Sequence, residues 1–203
     1  MSSDGAGLWN HNDHYHGWLL RRLPARFERA LDVGCGEGLL AARLAKRAGH
    51  VDAIDRDAAV LAEAAKRHGS PRIAFREGDF LALRLAPDAY DVVTSVACLH
   101  HLDMARALGA MRRVLRPGGR LAIVGLYRET TLLDYATSAA AIGPNLLRTR
   151  VLARGRGVAS AAPTRAPASS LAEVREIAAA LLPGARITRR LYWRYTLLWQ
   201  KPV

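Results

Sequence analysis

Residues 31–38 read LDVGCGEG and follow a short apolar run. Glycines alternate with other residues at Gly34, Gly36 and Gly38, directly before a stretch rich in Ala and Leu. Glycine lets the backbone turn sharply and approach a ligand closely, and such a loop between a strand and a helix places that ligand at the carboxyl end of a parallel sheet. The segment therefore predicts a βαβ fold with a ligand site at its first turn.

The spacing of the glycines separates classes of ligand. A dinucleotide-binding loop reads GxGxxG, but Leu39 stands where its last glycine would be. The sequence also lacks the GxxxxGK[ST] pattern of a P-loop. A ligand bound through a pyrophosphate is therefore disfavoured.

Outward from this loop, short apolar runs alternate with Ala-rich amphipathic stretches, which is typical of a doubly wound α/β fold. The pattern predicts strands over 30–34, 51–55, 72–77, 90–95 and 120–126, and helices over 39–48, 58–68 and 104–115. Arg116-Pro117-Gly118-Gly119 is predicted to stop the last of these helices and turn the chain into the fifth strand. The core of the chain is thus a mostly parallel sheet.

The remainder divides the chain without adding a second domain. We expect an N-terminal cap over 1–27, the core over 28–127, an inserted lid or partly disordered loop over 128–168, and a last helix with two strands over 169–203. Ser169 or Ser170 is predicted to cap that helix, with Glu173 in its first turn. The two strands are placed around Ile187 and over 195–200.

Composition bounds the class of protein. The chain has 203 residues, of which 50% are hydrophobic, and no apolar run long enough to span a membrane or basic-apolar leader at its start. We therefore expect a cytoplasmic protein with no membrane partner. Its two cysteines, Cys35 and Cys98, are too few for a disulfide framework and are expected to be small buried thiols.

The net charge of +12 raises the question of a nucleic-acid partner. Residues 1–127 hold 18 basic against 14 acidic residues, and residues 128–203 hold 12 against 4, so the excess is C-terminal. Arginine supplies 27 of the 30 basic residues in a chain also rich in Ala, a pairing that biased codon usage can produce. Charge alone does not establish a nucleic-acid partner.

Acidic residues follow the next two predicted strands. Asp55 ends the second strand, where a carboxylate can accept hydrogen bonds from both ribose hydroxyls of an adenosine, and Asp79 follows the third strand in Gly78-Asp79-Phe80. The segments YDVVTSVACLHHL (90–102) and LRPGGRL (115–121) follow in order. Together these motifs resemble the class I methyltransferases that depend on S-adenosylmethionine (SAM), over about residues 28–127.

The resemblance implies a seven-stranded, Rossmann-like sheet with SAM across the ends of strands one, two and four and S-adenosylhomocysteine as product. It implies that the glycine loop faces the methionine part of SAM and that Asp55 binds the ribose. It also implies that Asp79 and Phe80 meet the adenine and that the loop around Val96 approaches the sulfonium. The residues expected to bind the cofactor are Asp32, Gly34, Cys35, Gly36, Gly38, Asp55, Arg56, Asp79, Phe80 and Val96.

Five of the seven histidines form two clusters, one at His11, His14 and His16 and one at His100 and His101. Imidazole titrates near neutral pH and suits removal of a proton from a methyl acceptor. The candidate catalytic residues are His100, His101, His14 and Tyr15. The alternative for His100 and His101 is to cap a helix or to form a shelf for SAM. The N-terminal cluster is expected to close over the bound cofactor, and its alternatives are a frayed polar terminus or a zinc site.

Aromatic residues have core alternatives as well. Tyr15 and Trp18 offer rings for the sulfonium or the acceptor, but Trp18 with Leu19 and Leu23 also fits the apolar face of an N-terminal helix. Trp193 and Trp199, in the tail, are expected in the core. No metal site is predicted.

The resemblance favours methyl transfer to an O, N or C atom of a small-molecule acceptor. The alternatives are an RNA methyltransferase and a non-catalytic binding subunit with the same fold. Five arginines of the lid are predicted to face water or an acidic acceptor: Arg148, Arg150, Arg154, Arg156 and Arg165. No aromatic residue that could stack on RNA bases lies between Tyr135 and Tyr192. The sequence leaves open whether the protein is a monomer or a homodimer.

Overall fold

The computed structural model describes residues 11–131, 167–191 and 193–203, with side chains from residue 15 onwards. The strands are β1 (Phe27–Val33), β2 (Ala48–Asp55), β3 (Ile73–Glu77), β4 (Tyr90–Val96), β5 (Leu115–Leu126), β6 (Arg186–Arg190) and β7 (Arg194–Gln200). The helices are α1 (His11–Leu20), α2 (Leu39–Ala45), α3 (Ala58–His68), α4 (Met104–Val114) and α5 (Leu171–Leu181). The lid predicted over 128–168, with its five arginines, lies mostly outside the described residues.

One seven-stranded sheet has the order β3-β2-β1-β4-β5-β7-β6. The first five strands are parallel, whereas β7 is antiparallel to both of its neighbours. The chain moves outward from β1 to β3 and then returns to place β4 on the other side of β1, so the topological switch point lies between β1 and β4. The predicted fold class is confirmed.

Alternating side chains give the sheet two apolar faces. On one face, Leu31 and Val33 join a core with α4 and α5, and on the other, Ala30 joins a core with α1, α2 and α3. Central strand β4 is buried along nearly its whole length, as expected for a parallel strand covered on both sides. This packing holds the carboxyl ends of the strands in fixed register.

Side-chain caps start three of the helices. Asp57 accepts hydrogen bonds from the Ala59 and Val60 N–H groups at α3, and Asp103 accepts one from the Arg106 N–H group at α4. At α5, Ser170 and Glu173 form a complete capping box. Of the two serines offered as the cap, Ser170 is therefore the one used.

The start of β5 differs from the prediction. The strand begins at Leu115, and Arg116-Pro117-Gly118-Gly119 forms a bulge inside it, because Tyr90 pairs with Leu115 and Val92 pairs with Arg120. An ion pair between Arg116 and the buried carboxylate of Asp91 holds the bulge against β4. The glycines therefore bend a strand here.

None of the helices in the described part of the chain has the length and hydrophobicity that a membrane span requires.

Candidate active site at the switch point

The glycine loop crosses the carboxyl ends of β1 and β2. Gly34, Gly36 and Gly38 all have positive φ, at 71°, 50° and 78°. The Gly34 and Cys35 N–H groups donate to the Ile54 carbonyl at 2.8 and 3.0 Å, and the Gly38 N–H group donates to the Cys35 carbonyl at 3.0 Å. The loop is thus fastened to β2 in a backbone conformation that favours glycine.

Two of these glycines meet different surroundings. A Cβ on Gly34 would lie 2.3 Å from the Cys98 sulfur, so the loop packs directly on the segment after β4. A Cβ on Gly36 would meet no atom within 4 Å. The loop therefore has one side closed by protein and one side open, as a cradle for a ligand requires.

Asp55 links the glycine loop to the end of β2. One of its carboxylate oxygens accepts from the Gly36 N–H group at 2.8 Å, and the other accepts from the Asp57 N–H group at 3.1 Å. The side chain is half-buried, and its neighbour Arg56 is exposed. The carboxylate keeps further lone pairs for hydroxyl donors.

Asp32 is a buried carboxyl directly before the loop. The Thr94 hydroxyl donates to its Oδ1 at 2.8 Å, while no described group is a hydrogen-bond partner of Oδ2. Burial raises the pKa of Asp32 to about 7; the bond from Thr94 opposes this rise and the charge of Asp55 adds to it. An unpartnered buried carboxylate oxygen is costly and calls for a donor or a cation.

The third predicted acid lies farther out on the same edge. Asp79 is exposed, and its carboxylate accepts from the Leu81 N–H group at 2.9 Å. The Gly78 N–H group donates to the Asp55 carbonyl at 2.9 Å, which ties the end of β3 to the end of β2. Phe80 is 5% exposed and belongs to the core.

Both cysteines are free thiols beside the loop, but the expectation of buried thiols is met only by Cys35. Cys35 is buried and Cys98 is half-buried. Burial, followed by the charges of nearby carboxylates, raises the pKa of both thiols, that of Cys98 to about 12. Neither is a nucleophile at neutral pH.

The segment after β4 presents the histidine pair. His100 and His101 lie in a single 3₁₀ turn, with ring centroids 3.9 Å apart. Partial burial, followed by the charges of His101 and Arg194, lowers the pKa of His100 to about 4. Its imidazole is therefore neutral at physiological pH, and no described group is a hydrogen-bond partner of its Nδ1.

A cavity of about 50 Å³ lies beside this imidazole. Its lining is mostly apolar: Leu99, His100, Leu102, Met104, Leu126, Ala168 and Ser169. The two ends of the inserted segment meet here, because Arg128 pairs with Ser170 and the Arg128 N–H group donates to the Ser169 carbonyl at 2.8 Å. The chain thus leaves the sheet at residue 128 and returns to it at residue 169, next to the cavity.

The N-terminal residues are divided between described and undescribed parts. The Tyr15 ring is buried, and its hydroxyl donates to the Leu191 carbonyl at 2.8 Å, so this side chain docks α1 on the turn between β6 and β7. His16 is also buried, and burial lowers its pKa to about 4. His14 lies in α1, but its side chain, like residues 1–10, lies outside the described part.

Two expectations about aromatic residues are resolved. Trp199 is buried, as predicted, but Trp193 is 39% exposed, so its placement in the core was wrong. It occupies the turn between β6 and β7, where its φ is 58°. Leu19 and Leu23 are buried under α1, with Trp18 at the rim of that core.

Comparison with known proteins identifies the family. A sequence model described as "Methyltransferase domain" matches residues 31–123. An uncharacterized methyltransferase of Mycobacterium tuberculosis is 39% identical over 198 residues, which cover 96% of this chain and 98% of that protein. The chain belongs to the class I SAM-dependent methyltransferases. This methyltransferase therefore uses SAM as its methyl donor.

Two further relatives show the breadth of the similarity. A ubiquinone biosynthesis O-methyltransferase of Marinobacter nauticus is 36% identical over 137 residues, or 64% of this chain and 57% of that protein. The structure of phosphoethanolamine N-methyltransferase 2 of Haemonchus contortus with SAM matches with a TM-score of 0.68 and 17% identity, over 94% of this chain and 53% of that one. The second comparison supports the fold.

The residues at the switch point fit SAM. The open side of Gly36 leaves room for a ligand, the unpartnered oxygen of Asp32 suits an ammonium group, and the Asp55 carboxylate suits ribose hydroxyls. Nothing in this donor set requires a pyrophosphate or a metal, and the described residues contain no group of three or more side chains able to hold a metal ion.

Several residues of the site were missed by sequence analysis. Thr94 faces Asp32 because β1 and β4 are neighbours. The implied placement of SAM across strands one, two and four was the available signal. Tyr195 lies across Gly125, whose Cβ would be 2.3 Å from the tyrosine ring, and this contact joins β7 to β5 beside the cavity. No local pattern signals that second pair.

Proposed function

We propose that this methyltransferase transfers the methyl group of SAM to an O, N or C atom of a small-molecule acceptor held beside His100. The observation that carries the proposal is the mostly apolar cavity that a neutral imidazole and the roots of the inserted segment form at the end of β4. Small-molecule sites are mostly apolar with a few polar groups, but they usually have about 300–1,000 Å³. The described cavity, at about 50 Å³, would therefore hold only the reacting end of the acceptor. The O-methyltransferase relative is in keeping with such an acceptor.

The described contacts support an assignment of the cofactor half of the site. Asp55 would hold the ribose, Asp32 the ammonium group, and the Gly34–Gly38 loop the methionyl chain, while Asp79 and the backbone of Phe80 would meet the adenine. Val96 and the exposed Arg56 border the same edge. Cys35 contributes its backbone to the loop.

SAM, when bound, supplies an electrophilic methyl group on its sulfonium. In-line transfer depends mostly on holding the acceptor atom about 3 Å from that carbon and on excluding water. A conjugate acid with a pKa near 4 makes His100 a weak base, so we assign it to orienting the acceptor through a hydrogen bond. His101 supports the same turn, and Tyr15 positions α1 over the edge.

The division of the chain completes the proposal. The N-terminal cap (1–27) and the inserted segment (128–168) would enclose the acceptor, whereas the core (28–127) and the tail (169–203) would supply the sheet. The pairing of Arg128 with Ser170 supports this division, since it brings both roots of the insertion to one point.

A paired substitution tests the cofactor half. Asp55→Asn should weaken SAM binding by about tenfold or more in calorimetry, because charge-assisted hydrogen bonds to the ribose are each worth about 1.5–3 kcal/mol. The control is Asp57→Asn, which removes a carboxylate two residues away that caps α3. Equal affinities for the two variants would contradict the assignment of Asp55.

A labelling experiment tests the acceptor class. The protein is incubated with methyl-labelled SAM and, in parallel, with a small-metabolite extract and with total RNA. We expect label in the metabolite fraction and none in RNA, and His100→Leu should reduce that labelling at unchanged SAM affinity. Label in RNA alone would overturn the proposed acceptor class while leaving the SAM assignment intact.

A further inference from the structure

Five arginines crowd one surface beyond α1, on the side of the sheet opposite α4 and α5. We define this arginine patch as Arg21, Arg22, Arg120, Arg186 and Arg190. Arg22 and Arg190 both lie on the Trp18 ring, with guanidinium carbons 4.1 and 5.0 Å from its centroid. The side chain of Arg120 donates to the Arg22 carbonyl at 2.7 Å. The patch is therefore an organised cluster.

The charges of the patch are not neutralised within the described protein. Desolvation, followed by the charges of Arg190, Arg21 and Arg186, lowers the pKa of Arg22. These guanidinium groups therefore repel one another. Among the described residues no Asp or Glu forms an ion pair with any arginine of the patch, whereas Arg29, Arg67, Arg76 and Arg116 elsewhere all have acidic partners. A surface that keeps like charges together is complementary to a polyanion.

Two apolar side chains stand at one end of the patch. Leu191 is 42% exposed and Trp193 is 39% exposed, in the turn that follows Arg190. The backbone of this turn is anchored, because the Leu191 carbonyl accepts from Tyr15 and the Trp193 carbonyl accepts from the Tyr127 N–H group at 3.4 Å. We name Leu191 and Trp193 the apolar tip. Leu191 and Trp193 are thus each held through their carbonyl groups, in the turn directly after an arginine of the patch.

We propose that the arginine patch and the apolar tip form a docking surface for an anionic lipid bilayer. Guanidinium groups bind phosphates, and tryptophan favours the interface between headgroups and acyl chains. A nucleic acid is less well matched, since the Trp18 ring already carries two guanidinium groups and is not free to stack on a base. This peripheral contact departs from the expectation of no membrane partner.

The position of the tip relates this surface to the site. Arg194, directly after the tip, pairs with Leu126 at the carboxyl end of β5, and Leu126 lines the cavity beside His100. A bilayer on the tip would therefore lie next to the edge of the sheet that carries the proposed acceptor site. The binding itself needs neither SAM nor an acceptor, so it can be tested apart from the proposed reaction.

Sedimentation with vesicles tests the surface on the full chain. The vesicles are pure phosphatidylcholine, or phosphatidylcholine with about 30% phosphatidylglycerol. We expect binding to the anionic vesicles alone and its loss as salt is raised. Arg22→Ala with Arg190→Ala should weaken that binding about twenty-five-fold, because each arginine near an anionic surface contributes roughly a factor of five.

Matched variants separate the patch from the overall charge. Arg84→Ala with Arg106→Ala removes the same charge from exposed positions outside the patch and should weaken binding less than about threefold. Trp193→Ser should weaken it about fivefold, and circular dichroism checks that the variant is folded. Equal losses in the two arginine pairs, equal binding to both kinds of vesicle, or no vesicle binding would overturn the proposal. Tighter binding to an RNA oligonucleotide or to polyglutamate than to vesicles would overturn it as well.

Discussion

The carboxyl edge of the sheet has two halves that are built differently. In the cofactor half, residues 32–38 and 54–57 are tied together by backbone hydrogen bonds and by one carboxylate. In the proposed acceptor half, the described walls come from segments far apart in the chain, at residues 99–104, 126–128 and 168–170. The first half is a local loop, and the second is a junction of several elements.

The contrast explains which half carries the family resemblance. The cofactor half needs glycines where φ is positive and acidic residues at strand ends. Because these residues are close together in the chain, they form a short motif that can be recognised in the sequence. The acceptor half needs only shape and burial, which many residue combinations satisfy. We therefore expect substitutions in the first half to act on SAM and those in the second to act on packing.

The largest effect is expected for Gly34→Ala. The new Cβ would lie 2.3 Å from the Cys98 sulfur, and φ is 71°. Strain and overpacking together should lower the free energy of unfolding by about 3 kcal/mol, measured by urea denaturation. Gly36→Ala meets no protein atom within 4 Å and should cost about 1 kcal/mol, yet it should weaken SAM binding. Equal destabilisation by both would remove the distinction between the closed and open sides of the loop.

The matching test in the acceptor half is Gly125→Ala. Its Cβ would meet the Tyr195 ring at 2.3 Å, although φ is not positive there. We expect a loss of about 2 kcal/mol in the free energy of unfolding and unchanged SAM affinity. Tyr195→Phe removes a buried hydroxyl without a described partner and should leave stability unchanged or raise it by up to about 1 kcal/mol. A weakened affinity for SAM in Gly125→Ala would show that the halves are coupled.

A pH-dependent effect concerns the buried carboxyl of Asp32. Its pKa rises from 3.8 to about 7 on folding, so between these pH values the folded chain keeps a proton that the unfolded chain has lost. The stability contributed by this group is therefore present below pH 4 and lost as pH rises to 7. Chemical denaturation of the wild type and of Asp32→Asn should show a difference that changes in this direction. A difference independent of pH would contradict the raised pKa.

The smallest effect is expected at His100. With a pKa lowered to about 4, its imidazole should show no titration between pH 6 and 8 in proton NMR. Because the unfolded chain takes up the proton first, the stability contributed by this group is lost as pH falls from 6.5 towards 4. The signal is assigned by its absence in His100→Gln. A midpoint near 6.5 would restore His100 as a candidate general base.

Much of the core could be predicted from the sequence, for identifiable reasons. The predicted helix over 58–68 matches α3, and the strand over 51–55 lies within β2, because strong periodicity and an N-cap set those elements. Prediction was poorer at Tyr15 and Trp193. Tyr15 was expected to offer its ring to the sulfonium or the acceptor but is buried, with its hydroxyl bonded to the turn at Leu191. Trp193 was expected in the core but is partly exposed.

Local chemistry accounts for what could be inferred without coordinates: the fold class, the glycine loop and the acid that ends β2, because positive φ and strand-end carboxylates leave marks in consecutive residues. Contacts across the sheet account for the rest. That Asp32 faces Thr94, that Gly125 makes room for Tyr195 and that Arg22 and Arg190 share one tryptophan all depend on segments more than 60 residues apart. Such pairings are selected by packing and desolvation of the whole fold, which no short stretch of sequence encodes.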